Sequence, residues 1–457
     1  MNRPWLMTGL ILLVVVLGGF GIHHEANAEL QRAISRFRAA LPPGAQFSYT
    51  DAAPRILARG AAFSNIHYAQ GNFTLDAQSL TINNPIDTPP HGMHISRIHA
   101  QHLTLSGPAT LQASDIRISR LDVPSSINGQ GLASDIIQPA RIRFDKAVFR
   151  DLSGQGGRSG CSYAVSQLAI DHYGRQQEGH YAFDHATFGC SAVSALMPEG
   201  ATGQSPRAFS SSFARGEGHS SDLAAVFAPT ENMSASAVVT GDTTLSGIRI
   251  VSGRHAATAS DMVERHDANH FHLTLNAPSL RFDEAPPIPF AAQGEPARVI
   301  IDAERPPNTD TMRVVETLDI PALAATTLTL QFDRIPTPGA KMTAETLSAM
   351  RLIDTTLTYR DSSLINRFFQ DQAQRHQMTP DQYRNQAITT LNVVTSAIPG
   401  LHDVPQYVSS PDDHTLEISF HPTSPLPMAQ LATLLTPANL IAHPELLQPP
   451  IMTTRVR

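Results

Sequence analysis

The sequence predicts a mainly β protein: an N-terminal transmembrane helix, an elongated and curved antiparallel β-sheet, and a small helical insert near the C-terminus. A charge-free apolar run opens the chain, and short alternating apolar runs separated by turn residues fill its middle. Complete helix start and stop signals appear only late in the sequence. Apolar residues make up 41% of the chain and aromatic residues 6%, a composition that favours a thin sheet over a thick globular core.

Residues 1–25 are predicted to form a signal-anchor transmembrane helix. Trp5 to Ile22 contains no charged side chain, and a run of this length reaches the lower end of bilayer-spanning length. Arg3 precedes the run and acidic residues follow it, so the positive-inside rule places the bulk of the chain outside the cytoplasm. An A-x-A triplet ends at Ala28, which leaves cleavage after Ala28 open as the alternative to a retained anchor.

Residues 26–45 are predicted to form an amphipathic stalk helix behind this anchor. Leu30, Ile34, Phe37 and Leu41 recur at steps of three and four residues, which is the spacing of one helix face. A membrane span that runs directly into such a helix favours the retained anchor.

Residues 46–340 are predicted to form the curved β-sheet domain. One unit recurs, in which two alternating apolar runs are separated by a two-residue gap. Because the step across the gap is odd, a bulge or a tight turn is needed there to keep one apolar face. The predicted face comprises Phe73, Leu75, Ala77, Leu80, Ile82, Leu103, Leu105, Ile116, Ile118, Leu273, Leu275, Leu280 and Phe282.

Two interpretations of this apolar face remain open. In the first, it packs against helices and against the other half of the sheet, as apolar faces usually do. In the second, part of it stays open as a groove for acyl chains, since each methylene withdrawn from water contributes about 0.8 kcal/mol.

Cys161 and Cys190 are the only cysteines in the chain. Outside the cytoplasm an even pair of cysteines can form a disulfide, and two unpaired small residues are the alternative. A little further on, Pro198 to Ser221 is rich in Gly, Ser and Arg and is predicted to be a surface loop.

The C-terminal third is predicted to contain a strand and a helical insert at 341–400, then a strand and short helices at 401–457. The second helix of the insert has complete start signals. Thr379 is the predicted N-cap, Pro380 occupies the first helical position, and Gln382 can close a capping box onto Thr379.

No motif in the sequence predicts catalysis, a metal or a cofactor. The histidines from His91 to His102 lie three residues apart in close pairs, which places the members of each pair on opposite faces of a strand. Nucleophile-elbow, phosphate-loop and dinucleotide-binding patterns are absent, and Asp361 is predicted only to stabilise the start of a helix. A formal net charge of −7 gives no reason to expect nucleic acid as a partner. We therefore expect a non-enzymatic protein.

The opening of the chain resembles a known family. Within residues 1–120, the anchor and stalk lead into Ala58 to Ile66 (ARGAAFSNI) and then Phe73 to Ile82 (FTLDAQSLTI), a pattern that recurs at 271–282. This combination resembles AsmA-like and YdgA-like envelope proteins of Gram-negative bacteria. The resemblance implies a curved, periplasm-exposed sheet that forms a groove, with a role in outer-membrane biogenesis or phospholipid movement.

The sequence thus predicts a single-pass protein of the bacterial inner membrane with most of its chain in the periplasm. It would bind or move lipid, or otherwise support envelope biogenesis, without catalysis. Its expected partners are the inner membrane, a phospholipid or acyl-chain ligand and an envelope protein. The alternative function is a structural or assembly scaffold with a closed sheet that docks a protein partner.

Overall fold

A computed structural model describes most of the chain after the apolar leader. The described residues are 26–41, 44–88, 92–107, 109–123, 142–156, 160–190, 208–227, 239–252, 255–281, 297–307, 309–336, 348–412, 414–428 and 451–457. The predicted transmembrane segment, Trp5 to Ile22, therefore lies outside them. None of the helices within these ranges combines the length and apolarity that crossing a bilayer requires.

The chain divides into two compact units. Unit 1 comprises Met1–Met233 and Val239–Ala256, and unit 2 comprises Ser234–Val238 and Ala257–Arg457. The described parts of both units are mainly antiparallel β-structure, which confirms the predicted fold class at this level. The predicted β domain at 46–340 spans parts of both units.

Unit 1 is an antiparallel meander. Its strands are β1 (Gln46–Ser48), β2 (Asp51–Arg55), β3 (Gly60–Gln70), β4 (Phe73–Thr88), β5 (Gly92–Ser106), β6 (Ala109–Val123), β7 (Phe144–Gly156), β8 (Cys161–Tyr173), β9 (Gly179–Cys190), β10 (Phe209–Ser220) and β11 (Gly241–Ser252). Strands β1 and β2 both pair with β3, and each later strand pairs with the one before it.

The helix predicted as a stalk packs against this sheet. Helix α1 (Ala26–Ala40) buries Leu30, Ile34 and Phe37 in the same core cluster as the strands. The rings of Phe37 and Phe47 meet edge to face with centroids 4.8 Å apart. The apolar stripe of α1 therefore completes the core of unit 1.

In the strands of unit 1, the alternation of buried and exposed side chains shifts by one residue. The shift falls at positions that are paired across neighbouring strands. Ala77 and Leu80 are both buried although two residues separate them, and β4 continues through this point as one strand. Pairing with β5 keeps its register, with Ala77 opposite Leu103 and Leu80 opposite Ala100. The predicted gap is therefore a local kink in a continuous strand and not a turn. Paired strands shift their alternation at the same position, and this keeps one apolar face.

The prediction of a surface loop from Pro198 to Ser221 is wrong in its second half. That half forms strand β10, which pairs with a strand on each side. Gly216 lies opposite Phe183 and Gly218 lies opposite Tyr181. A Cβ on Gly216 would come within 2.2 Å of the Phe183 ring, and one on Gly218 within 2.6 Å of the Tyr181 ring. Aromatic rings on β9 cover the glycines, and this compensates for their weak strand propensity.

Unit 2 contains the remaining strands, the first of which starts at the boundary of the units. They are β12 (His255–His266), β13 (His270–Asn276), β14 (Ser279–Arg281), β15 (Arg298–Glu304), β16 (Met312–Ile320), β17 (Ala324–Asp333), β18 (Arg351–Asp361), β19 (Thr415–Phe420), β20 (Leu426–Pro427) and β21 (Met452–Val456). The main antiparallel path runs β12, β13, β15, β16, β17, β18, β19 and β21.

Short helices accompany the strands of both units. In unit 1, α2 (Leu223–Phe227) adds Leu223 to the core cluster. In unit 2 the predicted helical insert consists of α3 (Leu364–Arg375) and α4 (Pro380–Ala397), and α5 (Val404–Ser409) follows them.

Candidate functional site

The predicted apolar face is present in unit 1, and it is buried. Leu75 and Leu80 have no exposed surface, and Leu103 is 1% exposed. The remaining members of the face in unit 1 are buried or half-buried; they are Phe73, Ala77, Ile82, Leu105, Ile116 and Ile118. These side chains form one core cluster with residues of α1 and α2.

The burial of this face in unit 1 favours the first interpretation, in which it packs against other parts of the fold. A groove for an acyl chain would leave its lining accessible to solvent when no ligand is bound. Side chains that are 0–1% exposed in a dense core leave no such space, because protein interiors are packed like organic crystals.

The apolar face of unit 2 is more accessible. Leu273 and Leu275 on β13 are half-buried, whereas Leu280 lies in β14 and Phe282 lies outside the described residues. Cross-strand pairing extends the face from Leu275 through Val299 to Leu318, and Leu318 is 37% exposed.

A pocket of about 840 Å³ lies between α3, α4, α5 and the end of β18. This volume falls within the range of small-molecule sites. The lining is mainly aromatic and aliphatic and comprises Tyr359, Leu364, Ile365, Phe368, Phe369, His376, Met378, Tyr383, Gln386, Ala387, Thr390, Leu391 and Val408.

Two helix starts position this lining. Thr379 Oγ1 accepts the N–H of Gln382 at 3.3 Å, and Gln382 Oε1 accepts the N–H of Thr379 at 3.1 Å, which confirms the predicted capping box. Asp361 Oδ1 accepts the N–H of Ile365 at 3.0 Å. The predicted role of Asp361 at the start of the first insert helix is thereby confirmed.

A buried polar cluster holds Tyr359, one of the residues that line the pocket. The Tyr359 hydroxyl donates to Asp361 Oδ1 at 2.7 Å, and the N–H of Asp361 donates to the Tyr407 hydroxyl at 2.9 Å. Burial raises the pKa of Tyr359, and its hydrogen bond to the Asp361 carboxylate raises it further. Tyr359 therefore stays a neutral donor, and Asp361 is 5% exposed. This cluster fixes β18 to α3 and α5.

Aromatic residues that line the pocket pack against one another. His376 stacks on Tyr383 with ring centroids 5.4 Å apart, and Phe369 lies 6.1 Å from Tyr383. The Arg384 guanidinium carbon lies 5.3 Å from the Phe369 ring centroid, and the guanidinium donates to Asn366 on α3. This part of the lining is thus joined to both insert helices, with His376 and Gln386 supplying polar groups.

Sequence reasoning found the insert helices but missed their pocket. Phe368 and Phe369 stand out as part of one helix stripe, and Met378 and Tyr383 flank the predicted N-cap. The sequence does not show the pocket, because helix periodicity does not indicate whether two faces meet completely or leave a cavity.

Two histidines of the predicted His91 to His102 group each contact a carboxylate on the neighbouring strand. His94 Nδ1 lies 2.7 Å from Asp122, and His99 Nε2 lies 2.5 Å from Asp115. Across the parts of the chain that the structure describes, no group of three or more His, Cys, Asp or Glu is arranged to hold a metal.

Cys161 and Cys190 are joined by a disulfide. They are cross-strand partners, Cys161 at the start of β8 and Cys190 at the end of β9, and both are buried. The bond ties together the open ends of one hairpin.

Comparison with known proteins gives one partial match. Residues 317–447 match a family model that is described only as an uncharacterized protein. This segment contains every residue that lines the pocket. No curated protein matches the chain. Neither finding bears on the resemblance to AsmA-like proteins, which stays a prediction.

Proposed function

We propose that this is a membrane-anchored envelope protein that acts without catalysis and holds the acyl chain of a lipid in the pocket of unit 2. In this proposal the chain crosses the bacterial inner membrane once and exposes most of its length to the periplasm. The single observation that carries the proposal is the aromatic-lined cavity of about 840 Å³ between α3, α4 and β18.

The lining of the pocket suits an extended apolar ligand. Phe368, Leu391 and Val408 present hydrocarbon surface, whereas His376 and Gln386 offer hydrogen bonds to a more polar end. Burial of each methylene contributes about 0.8 kcal/mol, and association costs at least about 4 kcal/mol. A chain of many methylenes can overcome this cost, and a small apolar group cannot.

Two observations support the proposed location. The charge-free run from Trp5 to Ile22 has the length and flanking charge of an anchor that leaves the following chain outside the cytoplasm. The disulfide between Cys161 and Cys190 suits an oxidising compartment.

The proposal is tested by native mass spectrometry of the full chain extracted in mild detergent. We expect the wild-type protein to carry a bound lipid, and Ala387→Trp to lose it because the indole would occupy the cavity. Asn392→Trp is the matched control, since Asn392 is exposed on the same helix and does not line the pocket. Wild-type protein that is repeatedly empty would overturn the proposal.

A scaffold function is the second candidate, and exposed apolar side chains on the insert favour it. Phe368 is 45% exposed, Val393 67% and Val394 45%, and the apolar face of unit 1 is closed. In this case the wild-type protein would be empty of lipid and would retain a protein partner. Val393→Asp would release that partner, whereas Ala387→Trp would not.

A further inference from the structure

Two apolar side chains project into solvent beside two arginines in unit 1. Ile56 is 70% exposed and Leu57 is fully exposed at 104%, in a single 3-10 turn, Ile56–Ala58. Arg55 and Arg59 flank this turn, and both are exposed. A surface that touches a bilayer uses both its apolar and its basic residues.

The turn lies at the end of unit 1 where α1 begins. Phe47 contacts Phe37 near the C-terminal end of α1, and the Tyr49 hydroxyl donates to Gln31 at 3.4 Å nearer its start. Strand β2 continues along β3 in the register of β1 and still contacts α1. The chain therefore runs back along α1 toward the first residue of the helix.

Lengths place the turn at or beyond that first residue. From Tyr49 to Ile56 the strand advances by up to about 23 Å at 3.3 Å per residue. From Gln31 back to Ala26 the helix covers about 8 Å at 1.5 Å per residue. The strand thus has ample length to bring Leu57 level with the start of α1.

A second segment reaches the same end. The N–H of Asn84 donates to the carbonyl of Arg59 at 3.1 Å, which holds β4 against the turn. Beyond this bond β4 continues to Thr88, and Ile86 is 45% exposed. Three exposed apolar side chains therefore lie at one end of unit 1.

The apolar leader joins the chain at this end. The charge-free run ends at Ile22, four residues before α1 begins at Ala26. Four residues span at most about 14 Å. If the run lies in a bilayer, as the proposed function requires, the start of α1 lies close to the membrane surface.

We infer that the Ile56–Ala58 turn dips into the interface of the bilayer that the leader enters, with Arg55 and Arg59 at lipid phosphates. The inference rests on the anchoring in the proposed function and adds a second contact with the same membrane. Net charge gives no general attraction, since the chain carries −7. The contact is therefore local, driven by the two apolar side chains and oriented by guanidinium groups, which bind phosphate in a bidentate manner.

The test attaches an environment-sensitive fluorophore to Leu57→Cys in the full chain. The protein is reconstituted into vesicles of phosphatidylethanolamine and phosphatidylglycerol that contain doxyl-labelled lipid as a quencher. Asn72→Cys is the matched control, because Asn72 is exposed in the turn after β3, about 35 Å along that strand from the Ile56–Ala58 turn. We expect blue-shifted, strongly quenched emission at position 57 and water-like, unquenched emission at position 72.

The outcomes separate this inference from the proposed function. If the protein floats with the vesicles and both labels give water-like emission, anchoring stands and the second contact is overturned. If the protein does not float with vesicles at all, anchoring fails, and the second contact fails with it. Retention of the Cys161–Cys190 disulfide in both labelled proteins checks that they are folded.

Discussion

At the scale of single residues, one row of kinks in unit 1 carries residue types that tolerate left-handed backbone. Pairing aligns Asn65, His102, Asp151, His185 and Gly247 in one row across alternate strands. All five have φ between 47° and 59°. Asn, Asp, His and Gly are enriched in this conformation. In this row, the residue types that allow a kink therefore occur where the alternation of buried and exposed side chains shifts.

His102 allows a direct test of this requirement. It is exposed and has φ of 49°. His102→Val should lower the free energy of unfolding by about 1–2 kcal/mol, because a β-branched side chain clashes with the backbone at positive φ. His102→Gly is the control and should leave stability nearly unchanged. Chemical denaturation of both variants measures the difference, and equal losses would contradict the role of positive φ.

At the scale of elements, local sequence signals and burial act together in the insert. The capping box of α4 satisfies backbone groups at the helix start, and the same few residues place Met378 and Tyr383 in the pocket lining. Helix α1 shows the complementary case, since its stripe is amphipathic by sequence and stable only because the sheet of unit 1 receives it.

Removal of the cap of α4 should cost a defined amount of stability. Thr379→Ala should lower the free energy of unfolding by about 1 kcal/mol, since it leaves the N–H of Gln382 without its acceptor. Thr389→Ala is the matched control, because Thr389 is exposed inside the same helix and alanine has the higher helix propensity. Thermal denaturation followed by circular dichroism should show a loss for the first variant and none for the second.

At the scale of the whole molecule, the proposed location and the disulfide depend on each other. In the proposed function the leader carries the chain out of the cytoplasm, and the compartment determines whether Cys161 and Cys190 become oxidised. The bond joins residues 29 positions apart in sequence. In the chain-entropy model a cross-link of this size adds about 3–4 kcal/mol to the free energy of unfolding.

Deletion of residues 1–25 should therefore leave both cysteines reduced. We expect the full chain, produced in a Gram-negative bacterium and denatured before alkylation, to show no maleimide-reactive thiol. The shortened chain should show two, and full-length Cys161→Ser calibrates the signal of one. Two results would contradict this prediction. One is a shortened chain whose cysteines are as oxidised as those of the full chain, and the other is a full chain whose cysteines are both reduced.

The sequence by itself determined the antiparallel β class, the amphipathic α1, the capping box at Thr379 and the apolar face around Leu75, because each follows from local periodicity or from spacing along the chain. Only the tertiary structure decided that this face is closed in unit 1, that 209–220 is a strand, and that α3 and α4 leave a pocket. The physical reason is that these features depend on contacts between elements that are distant in the sequence. Gly216 becomes a strand residue because Phe183 lies over it from the neighbouring strand, and a face is core or groove according to what packs against it, which periodicity does not encode.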